Sequence, residues 1–328
     1  MRVLVPGGAG YIGSHTCKAL ALAGHTPIAY DNLRTGHRWA AKWGPLELGD
    51  INDTATLNEV MRRHKPDAVI NFAALAYVGE SAKEPTLYYR NNVSGMIALL
   101  ETMRANDVGS IVFSSSCATY GVPTRLPIIE TERQEPINPY GRSKLMGEMI
   151  LRDACAAHGL AAVALRYFNA AGADPDGDCG EEHAPETHLV PLVLQAAAGL
   201  RPDVAVFGSD YDTEDGTCIR DYVHVTDLAS AHVAALSASR PGKFAAYNLG
   251  TGTGSSISQV IRCAREITGR RISVMTAARR PGDPPALVAD AARARAELKW
   301  APGHSDPDRI IQSAWLWMTA HRKSAINR

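Results

Sequence analysis

The chain has 328 residues, enough for a large core and two domains. Its 34 Lys and Arg balance 34 Asp and Glu, so no global charge recruits nucleic acid or a membrane surface, and no window reaches the roughly 18 apolar residues of a membrane span. The six cysteines are scattered without a CxxC pair, which indicates neither a zinc site nor a disulfide framework; no metal is expected, and a reducing, cytoplasmic setting fits best.

Met1-Arg2-Val3-Leu4-Val5 runs straight into a strand, without a signal peptide's long apolar stretch. Residues 2–5 form that strand, then comes a glycine loop and a helix over 15–24 that stops at Gly24. A second strand is predicted over 26–30, ending at Asp31, then a helix over Thr54–His64, a strand over 68–72 and a helix over 93–106. A strand over Ser110–Ser114, a long helix over Pro139–His158 and a strand over 161–166 complete the alternation. Alternating β and α segments of this length predict an α/β fold with a parallel, doubly wound, Rossmann-type sheet. Past Asn169 the texture changes. Residues 173–186 are rich in Gly, Asp, Glu and Pro and read as a loop. Helical stretches at 188–199, 225–239, 258–269 and 306–321 predict a smaller C-terminal α/β domain. The expected division is 1–170 and 171–328, with the sheet open to later segments such as 220–250. Residues 323–328 are expected to fray.

The first glycine loop carries chemistry. Gly7, Gly10 and Gly13 follow a strand and open a helix, the context a dinucleotide-binding loop requires. Glycines let the backbone turn tightly and approach a pyrophosphate, and the helix N-terminus offers free N–H groups. A lone glycine motif is as well explained by a simple turn; Asp31 at the end of the second strand adds the missing element. A carboxylate there can hydrogen-bond a ribose diol and repels a 2′-phosphate, so NAD is favoured over NADP.

Tyr140 and Lys144 lie four apart on one predicted helix and share a face. A free phenol titrates at about 10, too high for an efficient base at neutrality, and a nearby cation lowers it. A tyrosine so tuned can take a proton from an alcohol while a hydride leaves the same carbon. Ser116 ends the preceding strand, where a hydroxyl can hydrogen-bond the reacting group; without Tyr140 and Lys144 it would read as a turn cap.

Further landmarks are GGAGYIGSH (7–15), YDNL (30–33), GDI (49–51), NFAAL (71–75), VGES (78–81), NNV (91–93), SSSCATYG (114–121), NPYGRSK (138–144) and RYFNAAGA (166–173). HLVP (188–191), DGTCIRDYVHV (215–225), YNLGTG (247–252) and RRPGD (279–283) follow. Together they resemble the extended short-chain dehydrogenase/reductases and, within them, the UDP-glucose (UDP-galactose) 4-epimerase family, from Arg2 to about Trp317. The resemblance implies NAD-dependent inversion of C4 of a UDP-hexose through a transient 4-keto sugar. It implies Ser116, Tyr140 and Lys144 as the catalytic set. NAD would be held by Gly7, Gly10, Tyr11, Ile12, Gly13, Asp31, Asn32, Asp50, Ile51, Phe72, Ala73, Ala74, Asn91, Tyr140, Lys144 and Phe168. The UDP-sugar would meet Ser116, Tyr140, Asn169, His188, Leu189, Phe207, Arg220, Arg280, Asp283 and Leu287. The arginines suit a diphosphate as planar, permanently charged donors.

Three positions depart from the family pattern. Ala76 stands where the family has a lysine on the pyrophosphate, His188 replaces a common asparagine, and Leu287 takes a site often filled by tyrosine. A small residue at the last position accompanies N-acetylated sugars in relatives, so UDP-N-acetylhexosamine or UDP-pentose epimerisation stays open. A 4,6-dehydratase is disfavoured, because Cys117-Ala118 stands where those relatives carry Asp-Glu. A non-catalytic NAD-sensing protein on the same fold is the remaining alternative. The resemblance also implies a homodimer through helices 93–106 and 139–158, with Met96, Leu99, Leu100, Leu145, Met149 and Leu151 as candidate outer-face residues.

Overall fold

The long strands of the main sheet are apolar runs rather than alternations, because both of its faces are buried. Val3 and Val5 sit in one core while Leu4 sits in the other; Val112 opposes Ile111 and Phe113, and Val163 and Leu165 oppose Ala162 and Ala164. The computed structural model describes residues 1–280 and 283–326, with side chains as far as His321. Strands β1 (Arg2–Pro6), β2 (Thr26–Asp31), β3 (Leu46–Leu48), β4 (Ala68–Asn71), β5 (Ser110–Ser114) and β6 (Ala161–Tyr167) come in the first half. They are followed by β7 (Asn169–Ala171), β8 (Val204–Phe207), β9 (Ile219–Arg220), β10 (Tyr222–His224), β11 (Phe244–Leu249), β12 (Ser255–Ser256), β13 (Val274–Ala277) and β14 (Ala286–Leu287). The main sheet runs β11-β6-β5-β4-β1-β2-β3 and all its pairings are parallel. Its order reverses between β1 and β4, and ligands of such sheets bind in the crevice at that switch.

The helices are α1 (Tyr11–Leu22), α2 (Thr54–His64), α3 (Val78–Lys83), α4 (Pro85–Tyr88), α5 (Gly95–Ala105), α6 (Pro139–His158), α7 (Leu189–Ala197), α8 (Val225–Ala238), α9 (Ile257–Thr268) and α10 (Pro307–Ile326). Helices α1 and α8 cover one face of the sheet through Cys17, Leu20, Leu228, Ala231 and Ala235. Helices α2, α5 and α6 cover the other through Leu57, Met61, Met96, Leu99 and Leu151. A separate core joins α7, α9, α10 and β8 through Val193, Leu194, Val206, Ile261 and Ile310. This is the smaller C-terminal layer. Strand β11 and helix α8 return from the second half of the chain to the main sheet.

Local chemistry sets the long helix α6. Asn138 accepts from the Gly141 N–H at 2.8 Å, Pro139 occupies the first turn, and Gly159 ends the helix at φ +72°. Several local assignments differ from expectation. Helix α1 begins at Tyr11, because a glycine N-cap needs no side-chain signal. A π-helical turn, Tyr89–Ser94, precedes α5. The short strand β3 was not foreseen. Helix α10 continues to Ile326 where fraying was expected from 323, and 327–328 lie outside the described residues. Of the candidate outer-face residues, Met96, Leu99 and Leu151 instead face the sheet, and Leu100 and Leu145 are half-buried. Met149 is exposed, together with Ile97 and Met146.

A buried ion pair fastens α6 to β6. Arg166 donates from Nε to Glu148 Oε1 at 2.9 Å and from Nη2 to Glu148 Oε2 at 2.6 Å, with both side chains out of solvent. Glu148→Gln removes the anion and is expected to cost about 3–5 kcal/mol in urea denaturation. The double variant Glu148→Met/Arg166→Met should recover most of that loss. A single-variant cost below about 1 kcal/mol, the scale of a surface pair, would overturn the assignment.

Candidate active site

The glycine loop connects β1 to α1 in a space no side chain could share. A Cβ on Gly7 would lie 2.7 Å from the Ala73 nitrogen, and one on Gly13 would lie 2.1 Å from the Gly7 oxygen. Gly10 caps α1 without a side-chain hydrogen bond, which leaves the first-turn N–H groups facing the crevice. Tyr11 and Ile12 use their side chains elsewhere: the Tyr11 hydroxyl donates to the Gly172 carbonyl at 2.6 Å, and Ile12 packs on the core. Only their backbone remains for a ligand. Asp31, at the end of β2, accepts from Ala9 N at 3.0 Å and Leu33 N at 2.8 Å. A carboxylate has about four acceptor positions, so a diol still finds room. Burial pushes this carboxyl up against those two hydrogen bonds.

Asn32 donates to Asp50 Oδ2 at 2.9 Å, and Ile51 is buried beneath Gly95. These residues gather on the β2 side of the switch. Phe72, Ala73 and Ala74 leave the end of β4, with the N–H groups of Phe72 and Ala73 bonded to the Pro6 carbonyl. Asn91 lies in the π-helical turn and donates to Asn92. Asn92 in turn bonds both backbone groups of Leu75 and the Ser143 hydroxyl, so it fixes this loop against α6.

Ser116, Tyr140 and Lys144 converge at the end of β5. Lys144 Nζ donates to the Ser114 carbonyl at 2.8 Å and stands 5.8 Å from the Tyr140 ring centre and 5.1 Å from that of Phe113. Burial alone lowers the Lys144 ammonium to about 7. The Tyr140 phenol is pushed above its ordinary value by burial, then by Tyr167, while the Ser116 hydroxyl opposes the shift. This corrects the expectation of a lysine-depressed phenol: burial dominates the Tyr140 shift and disfavours the charged form of both side chains. Phe168 is buried with Tyr120, Ile128 and Ala289, and Cys117 and Leu287 pack on that cluster.

The remaining candidates lie on the C-terminal side. Arg220 is buried and ion-paired with Asp283, so it is not the solvated surface arginine a lone Arg usually is. Arg280 is exposed and lies 4.0 Å over the Phe207 ring. Leu287 pairs with Arg220 in register, and the Asn169 N–H donates to the Asp221 carbonyl at 2.9 Å. Residues 281–282 of the RRPGD motif lie outside the described residues. His188 and Leu189 stand at the start of α7.

The model of the NAD dependent epimerase/dehydratase family matches residues 3–250. The chain belongs to that family. A UDP-glucose 4-epimerase of Rhizobium leguminosarum bv. trifolii is 51% identical over 323 residues, 98% of each chain. The crystal structure of UDP-glucose 4-epimerase from Brucella ovis in complex with NAD is 55% identical with a TM-score of 0.93, over 96% of this chain and 97% of that one. The Bifidobacterium longum UDP-glucose 4-epimerase in complex with NAD+ and UDP is 39% identical with a TM-score of 0.94, over 98% and 99%. The glycine cradle, the uncapped α1 and Asp31 fit NAD, the cofactor of this family.

Two groups went unread in the sequence. One is the Glu148–Arg166 pair, whose partners are far apart in the chain. The other is Glu181, His183, Glu186 and His188, whose ligand atoms lie within 4.8 Å of one another. Burial pushes the Glu181 carboxyl up, but the imidazoliums of His188 and His183 outweigh it and hold it at about 2. Burial likewise lowers His183, but Glu181 and Glu186 raise it to about 10. The signal was present as Glu-x-His-x-x-Glu-x-His, without the cysteines that usually draw attention to such spacing.

The Lys144 shift has a stability consequence. Between about pH 7 and the ordinary 10.5, the unfolded chain holds a proton that the folded chain releases, so this residue makes stability rise with pH across that window. Lys144→Met should therefore stabilise the cofactor-free protein by an amount on the order of a few kcal/mol at pH 6.5, shrinking toward pH 10. Thermal melts at both pH values read this; an equal gain at both, or a loss at pH 6.5, would contradict it.

Proposed function

We propose that this chain inverts C4 of a UDP-hexose, exchanging UDP-glucose and UDP-galactose through a transient 4-keto sugar, with NAD as a resident cofactor. The reading is supported by one observation above all: Ser116, Tyr140 and Lys144 meet in a dry pocket at the end of β5, in a chain half identical to curated UDP-glucose 4-epimerases. Bound NAD would supply the hydride acceptor and donor and, when oxidised, a positive charge. Tyr140 takes the proton of the C4 hydroxyl, with Ser116 hydrogen-bonded to the same oxygen. Lys144, in its ammonium form, favours the phenolate. The keto sugar then turns, and Tyr140 returns the proton to the oxygen presented from the opposite face. Proton transfer by a positioned side chain contributes about 10²–10⁴-fold.

Asp31 binds the ribose diol, and the first turn of α1 binds the pyrophosphate without the lysine that Ala76 replaces. Arg220 and Arg280 bind the sugar diphosphate, and Asn169, Leu189, Phe207 and Asp283 line the nucleotide. Leu287, held by the Tyr120 and Phe168 cluster, forms the wall at C2 of the sugar. The protein's part is orientation and electrostatics; the redox step belongs to the cofactor. We place the work in the cytoplasm, in keeping with six free cysteines.

Purified protein without added NAD, given UDP-galactose, UDP-N-acetylgalactosamine or UDP-xylose and followed by NMR, is expected to convert UDP-galactose. Conversion of the N-acetyl sugar as well would mean that Leu287 leaves room at C2, and preference for xylose would move the assignment to pentoses. Tyr140→Phe should lower turnover by about 10²–10⁴-fold with NAD still bound. Unchanged turnover in that variant would sink the assignment.

We also propose a homodimer. Exposed Ile97 on α5 and exposed Met146 and Met149 on α6 are supporting features, on helices that touch where Gly147 meets Met96. Two copies of this pair would form a four-helix contact across a two-fold axis. Light scattering should give two chains for the wild type and one for Met149→Glu at micromolar concentration. A wild-type mass of one chain would overturn it.

A further inference from the structure

The long loop between β7 and α7 carries a second convergence of side chains, of which only His188 is among the expected sugar contacts. Glu181 and Glu186 are nearly buried, with 5% and 7% of their side chains exposed. His183 Nδ1 lies 3.2 Å from Glu181 Oε1 and 3.7 Å from Glu186 Oε2. That nitrogen is buried yet meets hydrogen-bond geometry with neither carboxylate. His188 Nδ1 is directed at the same Glu181 oxygen. Two imidazole nitrogens therefore crowd one oxygen while one of them makes no hydrogen bond. Glu186 Oε1 accepts from the N–H groups of Thr187 and His188, which leaves Glu186 Oε2 and the second Glu181 oxygen with lone pairs for a ligand. Donor atoms gathered about a common centre are what a shared cation requires.

A neighbouring cluster gives the contrast. Asp174, Asp176 and Asp178 also converge, but Lys18 Nζ stands among them at 2.7, 2.7 and 2.9 Å. Their cation is part of the chain. Among the described residues the Glu/His cluster has no lysine or arginine as an ion-pair partner, and its histidines are the ligand type transition metals prefer.

We propose that Glu181, His183, Glu186 and His188 bind one divalent transition metal ion of the zinc type. Two imidazole nitrogens and two carboxylate oxygens form a mixed set that suits zinc or cobalt, whereas magnesium and calcium select oxygen alone. Bonds of about 2.0–2.2 Å place any two ligand atoms at most about 4.4 Å apart. The ligand atoms here all lie within 4.8 Å of one another, a spread that small side-chain rotations within one loop close. The rings of Tyr11 and Tyr77 stand edge-on to His183 at 6.3 and 6.2 Å, so the ion would hold the loop beside the glycine-loop helix. Its role is to order that loop; His188 is the one ligand that is also an expected sugar contact, and the proposal stands independently of which sugar is epimerised.

The test uses the purified full chain with its cofactor, stripped with a chelator and titrated with cobalt(II). One cobalt per chain with the visible bands of a tetrahedral site, displaced by zinc, is the expected result, together with a raised melting temperature. His183→Ala and, separately, Glu186→Gln should abolish those bands or weaken cobalt binding by about 100-fold or more, since even indirect partners of a metal contribute 10–100-fold. Each variant is checked by circular dichroism and NAD content. Should both variants fail to fold, anomalous scattering from zinc-soaked wild-type crystals decides the matter by the presence or absence of a peak between these four side chains. Absence of tetrahedral bands in the wild type, or bands untouched by both substitutions, would overturn the site and leave an ion-pair network.

Discussion

The ion pair between Glu148 and Arg166 fixes the rotation of the helix on which the proposed chemistry depends. Glu148 lies four residues after Lys144 and eight after Tyr140, on one face of α6. Because Glu148 is bound through both oxygens to β6, that face is turned to the sheet along its whole length. The same carboxylate accepts from the Ser115 hydroxyl at 2.6 Å, so the strand end that carries Ser116 is held by the group that orients Tyr140 and Lys144. Arg166 adds bonds to the Tyr120 hydroxyl, the Glu130 carbonyl and Gln134, and Tyr120 passes the connection to Asn248. A buried pair of this kind is a weak source of net stability. Its contribution here is geometric: it selects one helix orientation from several that an apolar contact would tolerate.

The second constraint is the close approach of backbone at the glycine loop. With Gly7 against the end of β4 and Gly13 against Gly7 itself, α1 sits nearer the sheet than any side chain at those positions would allow. That closeness brings an uncapped helix end to the switch point between β1 and β4, and Asp31 adds its anion by bonding the loop directly at Ala9. The cofactor side of the crevice is therefore shaped by missing atoms. The β5 side is shaped by a saturated polar network.

These two kinds of construction explain what could be read from the chain. The glycine spacing, the Tyr140–Lys144 interval and the capped helix α6 are local, and each appears in the sequence as it appears in the structure. Strand runs such as 110–114 were legible because burial on both faces removes any ambiguity of alternation. Strand β3 has three residues, none of them buried, and offers no such pattern. Among the apolar candidates of α5 and α6, Met96, Leu99 and Leu151 face the sheet and Met149 does not; the sequence leaves the two alternatives open because these helices carry apolar side chains on both sides. Pairings between distant segments, Glu148 with Arg166 or Arg220 with Asp283, have no local signature at all.

The phenol and ammonium mark the point at which a local rule gives way to its surroundings. Adjacency to a cation lowers a phenol only while the cation is charged, and Lys144 is held near 7 because the pocket that brings the two together also removes their water. A permanently charged residue at this position would not depend on its neighbours, but burying it unpaired would be more costly still. A group poised near neutrality responds instead to what enters: an added positive charge drives the phenol toward phenolate, and a hydroxyl placed to share its proton with Tyr140 does the same. Burial thus disfavours charge on both residues, so a phenolate at Tyr140 requires a neighbouring positive charge strong enough to offset that burial.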